Sequence, residues 1–120
     1  MAAVFDDVEP LVQKLRDSET RYVETLRELV QRLKKAHLED DRAFAQLFAL
    51  ATEIFHRSDS ELAKELRVAR PTIGRWARGE SCPHPLSRKS VFQVLLKMAE
   101  DDIRRHSPER PALARIRRVA

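Results

Sequence analysis

The chain has 120 residues, 42% of them hydrophobic and 35% charged, with two glycines and a formal net charge of +4. That supplies apolar material for one modest core, while the scarcity of β-branched and aromatic runs argues against strands and for helices. No stretch approaches the ~18 apolar residues of a membrane span, and the single cysteine, Cys82, excludes an internal disulfide.

The charge is unevenly placed. Residues 1–66 carry ten basic and fourteen acidic side chains; residues 67–120 carry thirteen basic and five acidic, and eleven of those thirteen are arginine. Arginine's planar fork suits phosphate and guanine, so a polyanionic partner is expected. Met1 to Pro10 contains Asp6, Asp7 and Glu9 and no apolar run, unlike a signal peptide. A cytoplasmic, nucleoid-associated protein is the expected setting.

Residues 6–37 read as one amphipathic helix. Phe5, Val8, Val12, Leu15, Tyr22, Leu26, Leu29, Leu33 and Ala36 step by three and four, a heptad seam interrupted at Glu19 and widened by Leu11, Val23 and Val30. Such a stripe must be covered, by the rest of the chain or by the same helix of a second copy, and the heptad spacing favours the second copy. The acids Glu39, Asp40 and Asp41 then mark a helix start, and Phe44, Leu47, Phe48, Ala51, Ile54 and Phe55 give residues 41–56 the broad apolar face of a core helix.

Ser58 and Glu61 have capping-box spacing, so a short helix starts near Asp59 with Leu62, Ala63 and Leu66 facing inward. Another runs from Arg70 to Arg78, with Pro71 in its first turn and Gly79 ending it. After the stiff loop Ser81–Pro85, residues 86–106 form a last helix with Val91, Phe92, Leu95, Leu96, Met98, Ala99 and Ile103 available for burial. The pair Asp101 and Asp102 reads as a solvated face. Three units are expected: an N-terminal helix at 1–38 for dimerisation or partner binding, a helix-turn-helix domain at 39–107, and a basic tail at 108–120 carrying Arg115, Arg117 and Arg118.

Residues 58–79 carry the functional argument. Two short helices joined by a tight turn cross closely and need a small residue at the crossing, which Ala63 supplies. The second helix must bury two residues three apart, Ile73 and Trp76, and so projects Arg70, Thr72, Arg75 and Arg78. Leu62-Ala63, Thr72-Ile73, Trp76, Gly79 and Pro83 resemble the Xre/Cro/phage-repressor family of helix-turn-helix proteins, over roughly residues 41–100. The resemblance implies an all-α fold in which a compact, lambda-repressor-like four-helix domain follows the long N-terminal helix. It also implies a transcriptional regulator that places Arg70, Pro71 and Thr72 at the groove-facing start of a recognition helix, Arg75 on a base edge or phosphate, and Arg78 on phosphate.

The chain departs from that pattern in three places. Arg67 stands where the family often has a turn glycine, at a left-handed cost of about 1 kcal/mol. Asp59 stands where a glutamine often touches phosphate, leaving Ser58 or Ser60 as substitutes. Gly74 lies inside the recognition helix, either to admit DNA or by simple tolerance.

Cys82, His84 and His56 are too few and too scattered for an expected metal site. No nucleophile–base set or phosphate-binding glycine loop is recognisable, so neither an enzyme nor a cofactor is expected. The expected partners are double-stranded DNA, a second copy in a homodimer, and RNA polymerase or a second regulator, with no membrane. Two other readings compete: an interaction adaptor that keeps the fold without reading DNA, and a nonspecific nucleoid-type binder.

Overall fold

The computed structural model describes residues 2–106, with side chains from Val8 onward. Five helices follow in order: α1 (Ala2–Lys34), α2 (Asp41–Ile54), α3 (Asp59–Leu66), α4 (Arg70–Ala77) and α5 (Pro85–His106). Among the described residues there is no strand, and no helix is long and apolar enough to cross a membrane. The Phe5 side chain and the basic tail at 108–120 lie outside the described residues.

Local chemistry sets the boundaries. Asp40 caps α2, its carboxylate accepting the Arg42 and Ala43 amides at 2.9 and 3.2 Å. Ser58 caps α3 through its hydroxyl, which accepts the Glu61 amide at 3.2 Å. The return bond of a full capping box, from Ser58 N–H to the Glu61 carboxylate, is not formed among the described residues. Arg67 ends α3 in the left-handed conformation, φ 57° and ψ 46°. The Val68 amide bonds the Ala63 carbonyl at 3.0 Å and the Arg67 amide bonds the Lys64 carbonyl at 3.3 Å, a Schellman ending. The turn without glycine is therefore closed rather than reshaped.

The core gathers Leu26, Leu29, Phe44, Phe48, Leu62, Ile73 and Leu95, all nearly inaccessible. Phe44 stacks between Phe48 and Phe92 at centroid distances of 5.6 and 5.3 Å, and Trp76 meets Phe44 and Phe48 edge-on at 6.0 and 5.5 Å. Edge-to-face rings contribute roughly 0.5–1.5 kcal/mol per pair beyond their burial. This cluster fixes the inner face of α4 and leaves its outer face to solvent.

The seam of α1 divides at Tyr22. Leu26, Leu29, Val30 and Leu33 belong to the same core as α2–α5, with α1 lying mainly along α5. Over this half the expected cover, a second copy, is replaced by the chain's own last helix. The reason is that α5 offers a matching stripe, Phe92, Leu95 and Ala99. The core therefore continues across residue 38. Nearer the N-terminus the seam residue Val12 is buried at 4%, while Leu11 and Leu15 stay 65% and 43% exposed.

The reading of Asp102 as solvated is corrected, because it is 3% exposed. Its carboxylate accepts the Tyr22 hydroxyl at 2.9 Å and both terminal nitrogens of Arg57 at 2.8 and 2.7 Å, joining α1, the α2–α3 loop and α5. Burial opposes its ionisation, yet the Arg57 fork and the Tyr22 hydroxyl outweigh burial and hold the carboxyl below the usual carboxylate range. Burial, then the Asp102 hydrogen bond, push the Tyr22 phenol up to about 12. His56 stacks on Tyr22 at 4.3 Å, and His106 meets it edge-on at 5.1 Å.

Arg88 is also buried, 2% exposed, and donates to the Pro83 and Leu38 carbonyls at 2.9 and 2.8 Å and to Asp41. It ties the loops before α2 and α5 together beneath the Phe44 ring.

Candidate nucleic-acid interface

The α3–α4 pair is joined by residues 67–69, and the two helices pack closely, with Ala63 5% exposed between them. Burying Ile73 and Trp76, at 1% and 8% exposure, fixes the rotation of α4 about its axis. Residues two positions before and after Ile73 must then face outward. Arg70, Pro71 and Arg75 are exposed, and with Arg78, Gly74 and Asp59 they line one shallow groove. Thr72 is half-buried and lies off this groove, its amide donating to the Ala69 carbonyl at 3.0 Å. Ser60 is exposed on α3 and does not line the groove either. Ser58 is exposed and its hydroxyl accepts the Glu61 amide as the α3 cap, which leaves its O–H free to donate.

Helix α4 ends at Ala77, one residue short of expectation, and Arg78 is its C-cap. Gly79 follows at φ +74°, where its amide bonds the Trp76 carbonyl at 3.1 Å and the Glu80 amide bonds the Arg75 carbonyl at 2.9 Å. That left-handed step turns the chain back and brings Glu80 beside Arg78. Arg78 Nε and Nη2 donate to the two Glu80 oxygens at 3.2 and 3.1 Å, fork to fork. The pair holds Arg78 more firmly protonated and the Glu80 carboxyl below its ordinary range, in each case chiefly through that hydrogen bonding.

A Cβ placed at Gly74 would stand 2.8 Å from Arg78 Nη1. That close approach is to the end of a flexible, exposed side chain that can shift aside, so it does not by itself require glycine. The space above Gly74 is filled by the chain's own guanidinium. Arg70 and Arg75, by contrast, make no ion pair within 4 Å among the described residues.

Sequence reasoning missed Glu80, which pairs with Arg78 beside this groove without lining it. The signal was present as Arg78-Gly79-Glu80, because a glycine between opposite charges permits the reversal that pairs them. Neither Cys82 nor His84 gathers a metal set, and among the described residues no three ligand-type side chains converge. Cys82 Sγ lies 3.7 Å from the Asp41 carbonyl, and His84 Nδ1 accepts the Leu86 amide at 3.2 Å.

The arrangement can offer two unpaired arginines and one loosely paired arginine to a polyanion, from a helix whose other face is rigidly packed. Comparison of the chain with protein-family models, with curated proteins and with solved structures returned no match.

Proposed function

We propose that the protein is a sequence-specific double-stranded DNA-binding regulator that lays α4 in the major groove. The observation that carries this reading is the pairing of faces on one short helix. Ile73 and Trp76 anchor it in the core while Arg75 stands free on the opposite side and Arg70, at the exposed start of the helix, lines the same groove. A rigid, exposed helix bearing arginines is suited to reading base edges, and each bidentate arginine–guanine contact discriminates by ~1–3 kcal/mol.

Arg78 and the backbone at Gly79 are assigned to phosphate. The motif residues Leu62-Ala63, Thr72-Ile73, Trp76, Gly79 and Pro83 support an Xre/Cro-like reading of the helices that follow α1. A homodimer would set two such helices roughly 34 Å apart on a pseudo-palindromic site. Leu11 and Leu15 on the outer half of α1 are the surface offered to a second copy, or to RNA polymerase or another regulator.

A second reading, an interaction adaptor, draws support from Asp59, an acid that lines the same groove. The two readings separate in a sequencing-based pull-down of fragmented genomic DNA, run beside an Arg70→Ala/Arg75→Ala variant. A few sharply enriched fragments sharing a motif, lost in the variant, are expected. Uniform recovery would favour a nonspecific binder, and no recovery would favour the adaptor.

A further inference from the structure

Resting on that reading, we propose that Glu80 is a specificity-determining residue, an intramolecular stand-in for phosphate that occupies Arg78 and suppresses sequence-independent binding. Its carboxylate meets the Arg78 fork through two oxygens at 3.2 and 3.1 Å. A phosphodiester presents the same two-oxygen edge to an arginine.

The geometry on both sides holds the pair in place. The left-handed Gly79 fixes the Glu80 backbone, and the missing Cβ of Gly74 leaves the slot in which Nη1 rests. The pair is nonetheless solvated, with side chains 62% and 55% exposed. An exposed pair of this kind is weak, so a phosphate can displace the carboxylate.

Displacement has an electrostatic consequence. When Arg78 turns to phosphate, it leaves Glu80 as an uncompensated negative charge beside a polyanion. On DNA without a preferred sequence, the Arg78 contact therefore brings almost no net charge gain. On a preferred site, base contacts from Arg70 and Arg75 offset the loss. Asp59 acts on Arg78 in the same direction, and Arg75 acts on Glu80 from the opposite side.

The test is a set of four proteins, wild type, Glu80→Gln, Arg78→Gln and the double variant, titrated with a mixed-sequence duplex between about 50 and about 200 mM salt. One additional effective phosphate contact steepens the slope of log affinity against log salt by about 0.9. Glu80→Gln is expected to tighten binding about three- to tenfold at the low-salt end and to steepen the slope by about that amount. It should also spread genomic recovery over unrelated fragments. In the Arg78→Gln background the same change should relieve repulsion but leave the salt slope unchanged, because no arginine is freed to take a phosphate. An equal steepening of the slope in that background would make Glu80 a merely repulsive charge, overturning the proposal while the DNA reading stands. No gain on a duplex that the wild type binds would overturn it equally. Absence of duplex binding by all four proteins would remove the DNA reading, and this proposal with it.

Discussion

Replacing Asp102 with alanine should destabilise the protein by about 3 kcal/mol, although the residue lies on α5, well away from α4. Asp102 is 3% exposed and accepts three hydrogen bonds, two of them from Arg57, whose side chain is 16% exposed. Removing one partner of a buried ion pair costs about 3–5 kcal/mol, mainly because the remaining charge is left without compensation. Arg57 keeps some access to water, which places the cost at the lower end. On a fold of this size that lowers the melting temperature by about 10–15 °C.

Urea unfolding followed by far-ultraviolet circular dichroism measures the loss. Asp102→Leu combined with Arg57→Met should recover much of it, because an apolar pair leaves no stranded charge. The acid dependence supplies an independent check. The folded-state carboxyl titrates below its unfolded value, so its contribution is present above about pH 4 and disappears as the pH falls through the folded value. The gap between wild type and Asp102→Ala should close over that acid range. A cost under about 1 kcal/mol, or one that persists unchanged into acid, would refute the reasoning.

Further outcomes can be read on the same protein. Tyr22 is the chain's one tyrosine, so an ultraviolet titration of tyrosinate reports it alone and should show a midpoint of about 12 in the folded state. Because that value is raised, its stabilising contribution is present below about pH 10 and is lost as the pH climbs towards 12; a folded-state midpoint near 10 would contradict the buried hydrogen bond. Arg67→Gly should stabilise by about 0.5–1 kcal/mol, since glycine adopts the left-handed turn without a Cβ clash and gives back part of that gain as unfolded-state entropy. The urea midpoint should rise at constant slope, and an unchanged or lower midpoint would show that Arg67 is not strained.

The helices were legible because their signals are local. Asp40, Ser58, Pro71 and Gly79 act within a turn of their own positions, so caps and stops can be read without knowing what packs where. The i, i+3 spacing of Ile73 and Trp76 likewise set which side of α4 faces inward, and with it the exposure of Arg75, while Arg70 is exposed as the first residue of the helix. Arg88 and Asp102 could also have been suspected, since both fall on the apolar stripe of α5 shared by Val91, Leu95, Met98 and Ala99. A charge at a core register implies a buried partner, but the sequence does not name it.

What remained was decided by tertiary structure. A heptad stripe states only that something apolar must cover it, and two covers satisfy it equally well along the chain. Only the packed fold shows that α5 takes the half from Tyr22 onward. Tyr22 and Asp102 are 80 residues apart and Arg57 and Asp102 are 45 apart, so no local rule relates them. At the site, the residue types and their outward face came from the sequence by itself. Whether Arg78 stands free or is held by Glu80 came from three-dimensional geometry, because the left-handed backbone at Gly79 decides which atoms meet.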